Sequence, residues 1–546
     1  MSSVEISPVA PSGMVLQKMT STAKHILKNV RYHRIPADSN VNYSYSGNNR
    51  ISFTIASTDS FWDPSESFLQ FEYTTTSSAI EDFRGDDDRG NYRRRRGASW
   101  STGGLHSAIR AVTVETASGV LIEHINSYNR LFGILSNATE SRDYVNLCGS
   151  RYHDSTNPTF TCDGIEYEDL DIVNVQGAAA GHSYSVGGAL ADVTTPCLSF
   201  KGCRNNAIGL GATRLPADPL PRSARNWASK ATTNPLQVTL KLQTGFLNLS
   251  FIPLQYIRQG IRIHIDLENP NICLMYPKRD EELSNAFPAV PSGNDEKGPA
   301  GVTMNYTIIN PVFMCRFIMP DASIKQQYDK ALTSGSLNYE FESFSTSSYQ
   351  HNGAGGTLQY TIPVSKRSVK NVFVVAQNLR ANTQNAVDTL LNSSTYDMNT
   401  FIRARISSYR FQHASDYYPS LPITISNGGT SGFSNSSALE ALAMCFGKST
   451  SLYDKFRFQP KEWNTLSRDS NNLNECTSLI MSYPLGRDMG SEFTGLDTSN
   501  SNQLIAEITF EAQYTIAGGN QNVWLHNFVQ YNNIFSVTPN GVVIRN

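Results

Sequence analysis

The sequence has little charge, no paired cysteine motif and no broad basic character. Charged residues make up 17% of the 546 residues and the formal net charge is −2. This balance excludes a protein whose whole surface binds nucleic acid, because such a surface needs a broad basic field. The eight cysteines include no Cys-x-x-Cys pair, so neither a zinc ribbon nor a redox motif is present. We expect reduced, mostly buried thiols.

Apolar segments suited to a membrane or to secretion are also missing. The segment from Met1 to Thr20 lacks the pattern of a signal peptide, which is a basic N-terminal region followed by an apolar run. No run of about 18 apolar residues, the length needed to cross a bilayer, occurs anywhere in the chain. We therefore expect a protein that is made and kept in the cytosol or nucleus and is not secreted.

Signatures of catalysis and of cofactor binding are absent as well. The ten histidines show neither His-x-x-x-His nor His-Glu-x-x-His spacing, and no Gly-x-Ser-x-Gly or Gly-x-Gly-x-x-Gly turn occurs. Gly447-Lys448-Ser449-Thr450 resembles the end of a phosphate loop, but Leu442 stands where that motif needs glycine. The sequence thus predicts no enzyme activity, no metal and no cofactor.

What the chain does have is the pattern of β-strands. Aromatic residues reach 10%, and Ser, Thr, Asn and Gly are abundant, which favours strands joined by polar turns. Apolar residues alternate with polar ones, as in Ile51, Phe53 and Ile55, and this period of two is typical of a half-buried strand. The length predicts two or more domains.

Two halves show the same order of features. The first half is predicted to have a short helix at 126–135 and to close with alternating strands at 236–242 and 261–267. A segment rich in Pro, Gly and charge, Asn269 to Gly301, then separates it from a second half that opens with a strand at 306–318. The second half has predicted helices at 322–332 and 438–446 and closes with strands at 506–514 and 523–529.

The first 36 residues differ from the rest. Between Val15 and Val30, apolar residues recur at helical spacing, which predicts an amphipathic helix. The segment either packs on its own domain or forms an arm along the inside of an assembly, with its cations directed toward polyanion. The candidate contact residues of this arm are Lys18, Lys24, Lys28, Arg31 and Arg34.

A loop in the first half carries two blocks of opposite charge. An acidic block spans residues 81–89, and it is followed by Arg93, Arg94, Arg95 and Arg96. Such blocks are usually solvated. We expect the two blocks to pair within or between subunits, or the arginines to contact phosphate inside an assembly.

A set of short segments, in this order, resembles the double jelly-roll major capsid proteins of the adenovirus and tectivirus lineage. The resemblance is strongest to those of virophages and polinton-like viruses, and it covers most of residues 40–546. The segments are Ile51-Ser52-Phe53, Trp62-Asp63-Pro64, Ser67 to Tyr73, Val238 to Leu242, Phe251-Ile252-Pro253-Leu254, Ile261 to Leu267, Lys366-Arg367-Ser368-Val369 and Tyr417-Tyr418-Pro419-Ser420-Leu421-Pro422.

The resemblance implies an all-β fold with two tandem eight-stranded jelly rolls and short helices in the loops. Together with the Pro-, Gly- and charge-rich segment, the resemblance predicts four parts of the chain. They are an N-terminal arm at 1–36, a first jelly roll at 37–268, a linker at 269–301 and a second jelly roll at 302–546. It implies homotrimers that form pseudo-hexameric capsomers and tile an icosahedral virion around double-stranded DNA. Expected partners are further copies of the chain, penton proteins, minor capsid or cement proteins and packaged DNA.

Two other classes share this composition. One is a surface protein with a carbohydrate-binding β-sandwich, against which the missing signal segment weighs. The other is a glycoside-acting enzyme on a β scaffold, for which the sequence offers no acid/base motif.

Overall fold

The computed structural model describes residues 27–139, 236–275, 304–378, 401–425, 436–446, 479–486 and 495–545. Gaps inside these ranges are residues 40, 78–80, 85–92, 97–98, 101–102, 402–403, 405, 501–502, 512–514, 517–518, 521 and 540.

Eight principal strands form a first sandwich of two antiparallel sheets. They are β1 (Leu27–Pro36), β2 (Arg50–Ile55), β3 (Phe61–Ser77), β4 (Ile109–Thr116), β5 (Leu121–Asn126), β6 (Leu236–Leu240), β7 (Ile261–Leu267) and β8 (Met304–Pro320). One sheet has the order β1-β8-β3-β6 and the other has the order β2-β7-β4-β5.

Eight further strands form a second sandwich. They are β9 (Leu337–His351), β10 (Gly356–Ile362), β11 (Val369–Asn378), β12 (Ile406–His413), β13 (Asp416–Thr424), β14 (Met481–Pro484), β15 (Leu504–Phe510) and β16 (Val523–Thr538). The two sheets have the orders β9-β16-β11-β14 and β10-β15-β12-β13. A last strand, β17 (Gly541–Arg545), pairs with the end of β16.

The two sandwiches have the same topology. In each of them the first strand lies beside the eighth, the eighth beside the third and the third beside the sixth, while the facing sheet follows the order second, seventh, fourth, fifth. Two four-stranded antiparallel sheets connected in this way form a jelly roll. The predicted fold class, an all-β chain with two tandem jelly rolls, is therefore confirmed.

Three helices lie in the connections. They are α1 (Tyr128–Thr139), α2 (Ala322–Ser334) and α3 (Ser436–Cys445), each where a short helix was predicted. α1 and α3 follow the fifth strand of their jelly rolls, whereas α2 joins the two jelly rolls. No helix among the described residues is long and apolar enough to cross a membrane.

Short elements complete the described backbone. The minor strands are Asn42–Tyr43, Glu81–Arg84, Arg93–Arg96, Ser99–Trp100, Ile252–Pro253, Leu274–Met275, Thr515–Ile516 and Gly519–Asn520. The 3-10 turns are Gly104–Ala108, Phe246–Asn248 and Leu254–Tyr256, and Pro270–Cys273 forms one helical turn.

The alternating residues build the core between the sheets. Ile51, Phe53 and Ile55 of β2 are fully buried, and the residues between them are partly exposed. The Phe53 ring packs on Phe313 of the facing sheet, with ring centroids 5.7 Å apart. Burial of each such side chain contributes about 1.5–3 kcal/mol to folding. The period of two in the sequence therefore sets which face of the strand is buried.

The helical interpretation of the N-terminal segment is wrong at its C-terminal end. Leu27–Pro36 forms β1, which pairs antiparallel with β8 from Leu27 opposite Pro320 to Pro36 opposite Val312. The helical spacing of the apolar residues did not determine the structure here, because pairing with a strand almost 300 residues away overrides a weak helical preference. Residues 1–26, with the rest of the predicted helix, lie outside the described residues.

The predicted boundary between the two halves also needs correction. The strand expected to open the second half is β8, and it pairs with β1 and β3 of the first jelly roll. The segment 269–301 therefore connects the seventh and eighth strands of one jelly roll, and the connection between jelly rolls is the α2 segment after Pro320. Pro- and Gly-rich composition marks a loop but does not say whether a loop joins strands or domains.

The cysteines that the structure describes are free thiols. Cys273 and Cys315 are buried and Cys445 is partly buried. Burial raises the pKa of all three thiols, so they are unreactive at neutral pH. The other five cysteines lie outside the described residues.

Candidate assembly interfaces

The basic residues predicted on the N-terminal arm lie partly on β1. Lys18 and Lys24 lie outside the described residues. Lys28, Arg31 and Arg34 are residues of β1, the edge strand of its sheet, and the side chains of Arg31 and Arg34 are exposed. Their role as assembly or polyanion contacts stays a prediction.

The arginine run lies on a short hairpin. Arg93–Arg96 pairs antiparallel with Glu81–Arg84. The register sets Glu81 opposite Arg96, and in the next pair an acidic residue again stands opposite an arginine. The hairpin therefore sets the backbone of residues 81–84, the start of the acidic block, beside that of the four arginines, and residues 85–89 of the block lie outside the described residues. Pairing of the two charge blocks stays a prediction.

The two jelly rolls meet along a contact that we call the seam. It joins β5, α1 and the segment Phe246–Asn248 of the first jelly roll to β9, β11 and β16 of the second. Among the hydrogen bonds that cross it, the side-chain amide of Asn533 donates to the carbonyl oxygen of Ile122 at 3.3 Å. Because β5 and β9 are edge strands of their sheets, the seam covers two sheet edges at once.

A close backbone approach at Gly245 lies inside the seam. A Cβ at this position would stand 1.7 Å from the carbonyl oxygen of Glu342, so only glycine fits. The next residue, Phe246, packs edge-on against Phe341 and Phe535 of the second jelly roll, with centroid distances of 5.8 and 5.2 Å. The absence of a side chain on Gly245 thus lets the Phe246 ring reach the neighbouring jelly roll.

A buried carboxylate holds this segment in place. Oε1 of Glu123 accepts a hydrogen bond from the backbone N–H of Gly245 at 3.1 Å, and Oε2 accepts one from Phe246 at 3.0 Å. Burial raises the pKa of Glu123, and the two N–H donors oppose that rise. The carboxylate on β5 therefore orients the loop that contacts the second jelly roll.

From the same side of the seam as Glu123, α1 contributes a buried arginine. Nε of Arg130 donates a hydrogen bond to Oε1 of Gln377 on β11 at 3.0 Å. Burial lowers the pKa of Arg130, and the Glu268 carboxylate opposes this. Glu268 itself accepts a hydrogen bond at 2.9 Å from Nδ2 of Asn129. A buried cation that loses its hydrogen-bond partners destabilises the fold. The contacts of Arg130 therefore favour one relative position of the two jelly rolls.

Two buried histidines lie in this region, one within reach of the Arg130 charge and one stacked on α1. Nδ1 of His526 lies 2.8 Å from the Ser348 hydroxyl, and burial together with the Arg130 charge lowers its pKa well below the ordinary value. His106 stacks on Phe132 of α1 at a centroid distance of 3.7 Å, and burial lowers its pKa to about 3. Both rings are neutral at physiological pH.

The seam residues were not identified from the sequence. Glu123 and Arg130 resemble ordinary surface residues there, because each stands beside polar neighbours. A signal exists in Leu121–Asn126, where Ile122 and Glu123 are both buried and the alternation of the strand is interrupted. An acidic residue at a position where alternation fails is therefore a useful sign of an interface.

One polar cluster has the residue types of a nucleophilic site. On the outer face of the β2-β7-β4-β5 sheet, Ser52 Oγ lies 2.7 Å from Nδ1 of His264, whose Nε2 lies 3.2 Å from Oε1 of Glu115. Ser52 and His264 stand directly opposite each other on paired strands. The polar face of a sheet produces such ladders without catalysis. Among the described residues, no group of three metal-ligating side chains is gathered.

Replacement of Gly245 by alanine should weaken the seam. Gly245 has a helical backbone (φ −64°), so the added methyl group acts only through its overlap with Glu342. We expect the free energy of unfolding, measured with urea, to fall by about 1–3 kcal/mol. As a control, Gly335→Ala adds a methyl group where no atom lies within 4 Å and should change little. Equal stability of both variants would contradict the close approach.

The buried histidines predict a loss of stability in acid. Their pKa values are lowered in the folded state, so the unfolded chain takes up protons first as the pH falls below about 6.5. Protonation of the unfolded chain at His106, whose pKa in the folded state is about 3, should therefore cost about 2 kcal/mol of stability between pH 7.5 and pH 5.0, and His526 should add a loss in the same direction. His526→Gln keeps a partner for Ser348 without a titrating ring. Urea unfolding at both pH values should show a smaller acid loss in this variant, and an unchanged loss would refute the assignment.

Comparison with known proteins gives similarity in structure only. No protein-family model matches the sequence, and no curated protein matches it. Among solved structures, a chain of the Sputnik virophage is similar with a TM-score of 0.54 and 12% identity, over 95% of this chain and 88% of that one.

Two major capsid proteins are also similar in structure. The mavirus protein matches with a TM-score of 0.47 and 9% identity, over 100% of this chain and 96% of that one. The faustovirus protein matches with a TM-score of 0.43 and 11% identity, over 95% and 92% of the two chains. At such low identity, the likeness to the Sputnik chain establishes the fold, and it confirms that this chain is a double jelly-roll protein.

Proposed function

We propose that this chain is a major capsid protein whose trimers form pseudo-hexagonal capsomers and tile an icosahedral shell around a double-stranded DNA genome. The observation that carries the proposal is the repetition of one jelly-roll topology in two bodies joined by the seam. Three such chains supply six similar bodies. A closed ring of them makes a six-sided tile with only threefold symmetry.

The fold likeness supports a location in the virion. The structure with the similar chain is that of a virophage, and the match extends over both jelly rolls. A fold alone does not determine function, so the argument also needs a physical role for this architecture. Two sandwiches of one topology joined at a packed seam give the chain two similar bodies, which a tile of six bodies built from three chains requires.

The expected neighbours of such a subunit follow from its position in a shell. We propose that it contacts further copies of itself, penton proteins and minor capsid or cement proteins, and that it plays a structural rather than a catalytic role. We also propose that Lys18, Lys24, Lys28, Arg31, Arg34 and the Arg93–Arg96 run meet acidic surfaces of neighbours or the phosphates of packaged DNA. Phosphate contacts of this kind need no base sequence.

The oligomeric state of the purified chain tests the proposal. We expect light scattering to give a mass of three times 60.3 kDa, and electron microscopy to show shells at high protein concentration. A stable monomer that binds glycans would contradict the proposal and favour the carbohydrate-binding alternative.

Charge reversal of the arginine run tests its part in assembly. Replacement of Arg93, Arg94, Arg95 and Arg96 by glutamate should slow shell formation and remove part of its sensitivity to salt, because like charges then face each other across the hairpin. Replacement of the same four residues by lysine keeps the charge and serves as the control. If light scattering follows the same assembly course for both variants, the run has no role in assembly.

A further inference from the structure

A cleft lies beside the seam, and both jelly rolls line it. Its volume is about 400 Å³, which falls within the range of small-molecule sites. The first jelly roll contributes the end of α1 and the segment after β6, and the second contributes β9, β16 and the residue that follows α3. A molecule bound in this cleft would therefore contact both jelly rolls.

Apolar side chains from both jelly rolls form part of the cleft wall. Leu135 of α1 and Leu249 come from the first jelly roll, and Phe344 of β9 and Phe446 come from the second. The Phe446 ring is held in place because it stacks on Phe373, with ring centroids 5.5 Å apart. Aromatic and branched side chains of this kind bind flat apolar molecules.

Acidic side chains also line the cleft. Glu340 and Glu342 are two residues apart on β9, so both lie on the same face of the strand. None of the described residues that line the cleft is basic. One ammonium group stands beside it, because Nζ of Lys370 donates a hydrogen bond to Oε1 of Glu342 at 2.7 Å. Two carboxylates against one ammonium favour a cationic ligand over an anionic one.

A chain of hydrogen bonds fixes the position of Glu342. Nε2 of Gln530 donates to Oε2 of Glu342 at 2.6 Å, and Nδ2 of Asn371 donates to Oε1 of Gln530 at 2.7 Å. The same Asn371 amide donates to the carbonyl oxygen of Cys445, the last residue of α3, at 3.0 Å. The Glu342 side chain is nevertheless 47% exposed. A carboxylate that is both held and accessible loses little conformational freedom when a ligand binds.

Two helices end at the cleft. Thr139 is the last residue of α1, Phe446 directly follows α3, and both line the cleft. The helices have 12 and 10 residues. The C-terminal end of a helix carries a partial negative charge. The two helix ends therefore act in the same direction as the carboxylates of Glu340 and Glu342.

We infer that the cleft binds an organic cation with a flat apolar body, such as an aromatic amine. The cationic group of the ligand meets Glu340 and Glu342, and its apolar body lies against Phe344 and Phe446. A neutral molecule of the same shape gains the apolar contacts only. All the lining residues belong to one chain, so the site does not depend on assembly, and the inference goes beyond the proposed function.

A ligand in the cleft should stabilise the seam. It contacts both jelly rolls only while they are joined, so its binding favours the joined state over any state in which they separate. The unfolded chain lacks the site altogether. The concentration of urea at the midpoint of unfolding should therefore rise with the concentration of the ligand.

Titration calorimetry of the full chain with tryptamine tests the inference. Tryptamine joins an ammonium group to a flat indole ring. We expect saturable binding with a Kd at or below about 0.1 mM, the affinity typical of a well-placed ligand of about a dozen atoms. Tryptophol has a hydroxyl group in place of the ammonium and should bind about 10-fold more weakly or worse. Urea unfolding should show the matching rise in midpoint with tryptamine.

Single substitutions locate the bound cation. Glu340→Gln and Glu342→Gln each remove one charge and keep an oxygen acceptor, so each should weaken tryptamine binding about 10-fold and leave tryptophol binding unchanged. Thr139→Trp adds a large ring at the exposed end of α1 and should block both ligands. As the control, Asp416→Asn removes an exposed carboxylate from β13, on the other sheet of the second jelly roll, and should change neither affinity.

Three results would each overturn the inference. They are no saturable tryptamine binding to the unmodified chain, equal affinity for tryptamine and tryptophol, and tryptamine binding that the substitutions in the cleft leave unchanged. Urea unfolding without ligand shows which variants are folded, and Thr139→Trp, at an exposed position, keeps the test decisive if a glutamine variant does not fold. The capsid proposal stands or falls separately, on the oligomeric state of the chain.

Discussion

The arrangement of this molecule depends on the seam, where the backbone at Gly245 meets the backbone at Glu342. A jelly roll is an open pair of sheets, and its edge strands offer unpaired backbone groups to any other strand. In this chain β5 and β9 shield each other, so the contact fixes the two jelly rolls together and removes two edges from solvent. The buried Arg130 adds specificity, because its partner Gln377 belongs to the second jelly roll, and Glu123 orients the loop that carries Phe246 to the seam.

Much of the fold could be predicted from the sequence, because the local spacing of apolar and polar residues indicates the strands and helices. Strands such as β2, β7 and β15 have one buried and one wet face, which the alternation of residues reveals, and the three helices lie where they were expected. The resemblance to capsid proteins added the jelly-roll topology. The sequence could not show that β8 belongs to the first jelly roll. Its partners β1 and β3 are more than 200 residues away, and no local pattern indicates that pairing.

The candidate interface was harder to predict than the fold, for a physical reason. Sequence patterns emphasised charge runs such as Arg93–Arg96, whereas the contact between jelly rolls depends on a glycine, a phenylalanine and two charged residues that become buried. Burial of Arg130 and Glu123 follows from the meeting of two domains, and neither domain alone encodes it. For a protein of this kind, function lies in the shape and complementarity of surfaces rather than in a cluster of reactive groups.

The central claim is that two jelly rolls of one topology, fixed together by the seam, form the subunit of a viral shell. A cryo-EM map of the purified protein tests this claim most directly. We expect a particle of three chains in which six jelly rolls surround one threefold axis. A particle that contains a single chain would contradict it.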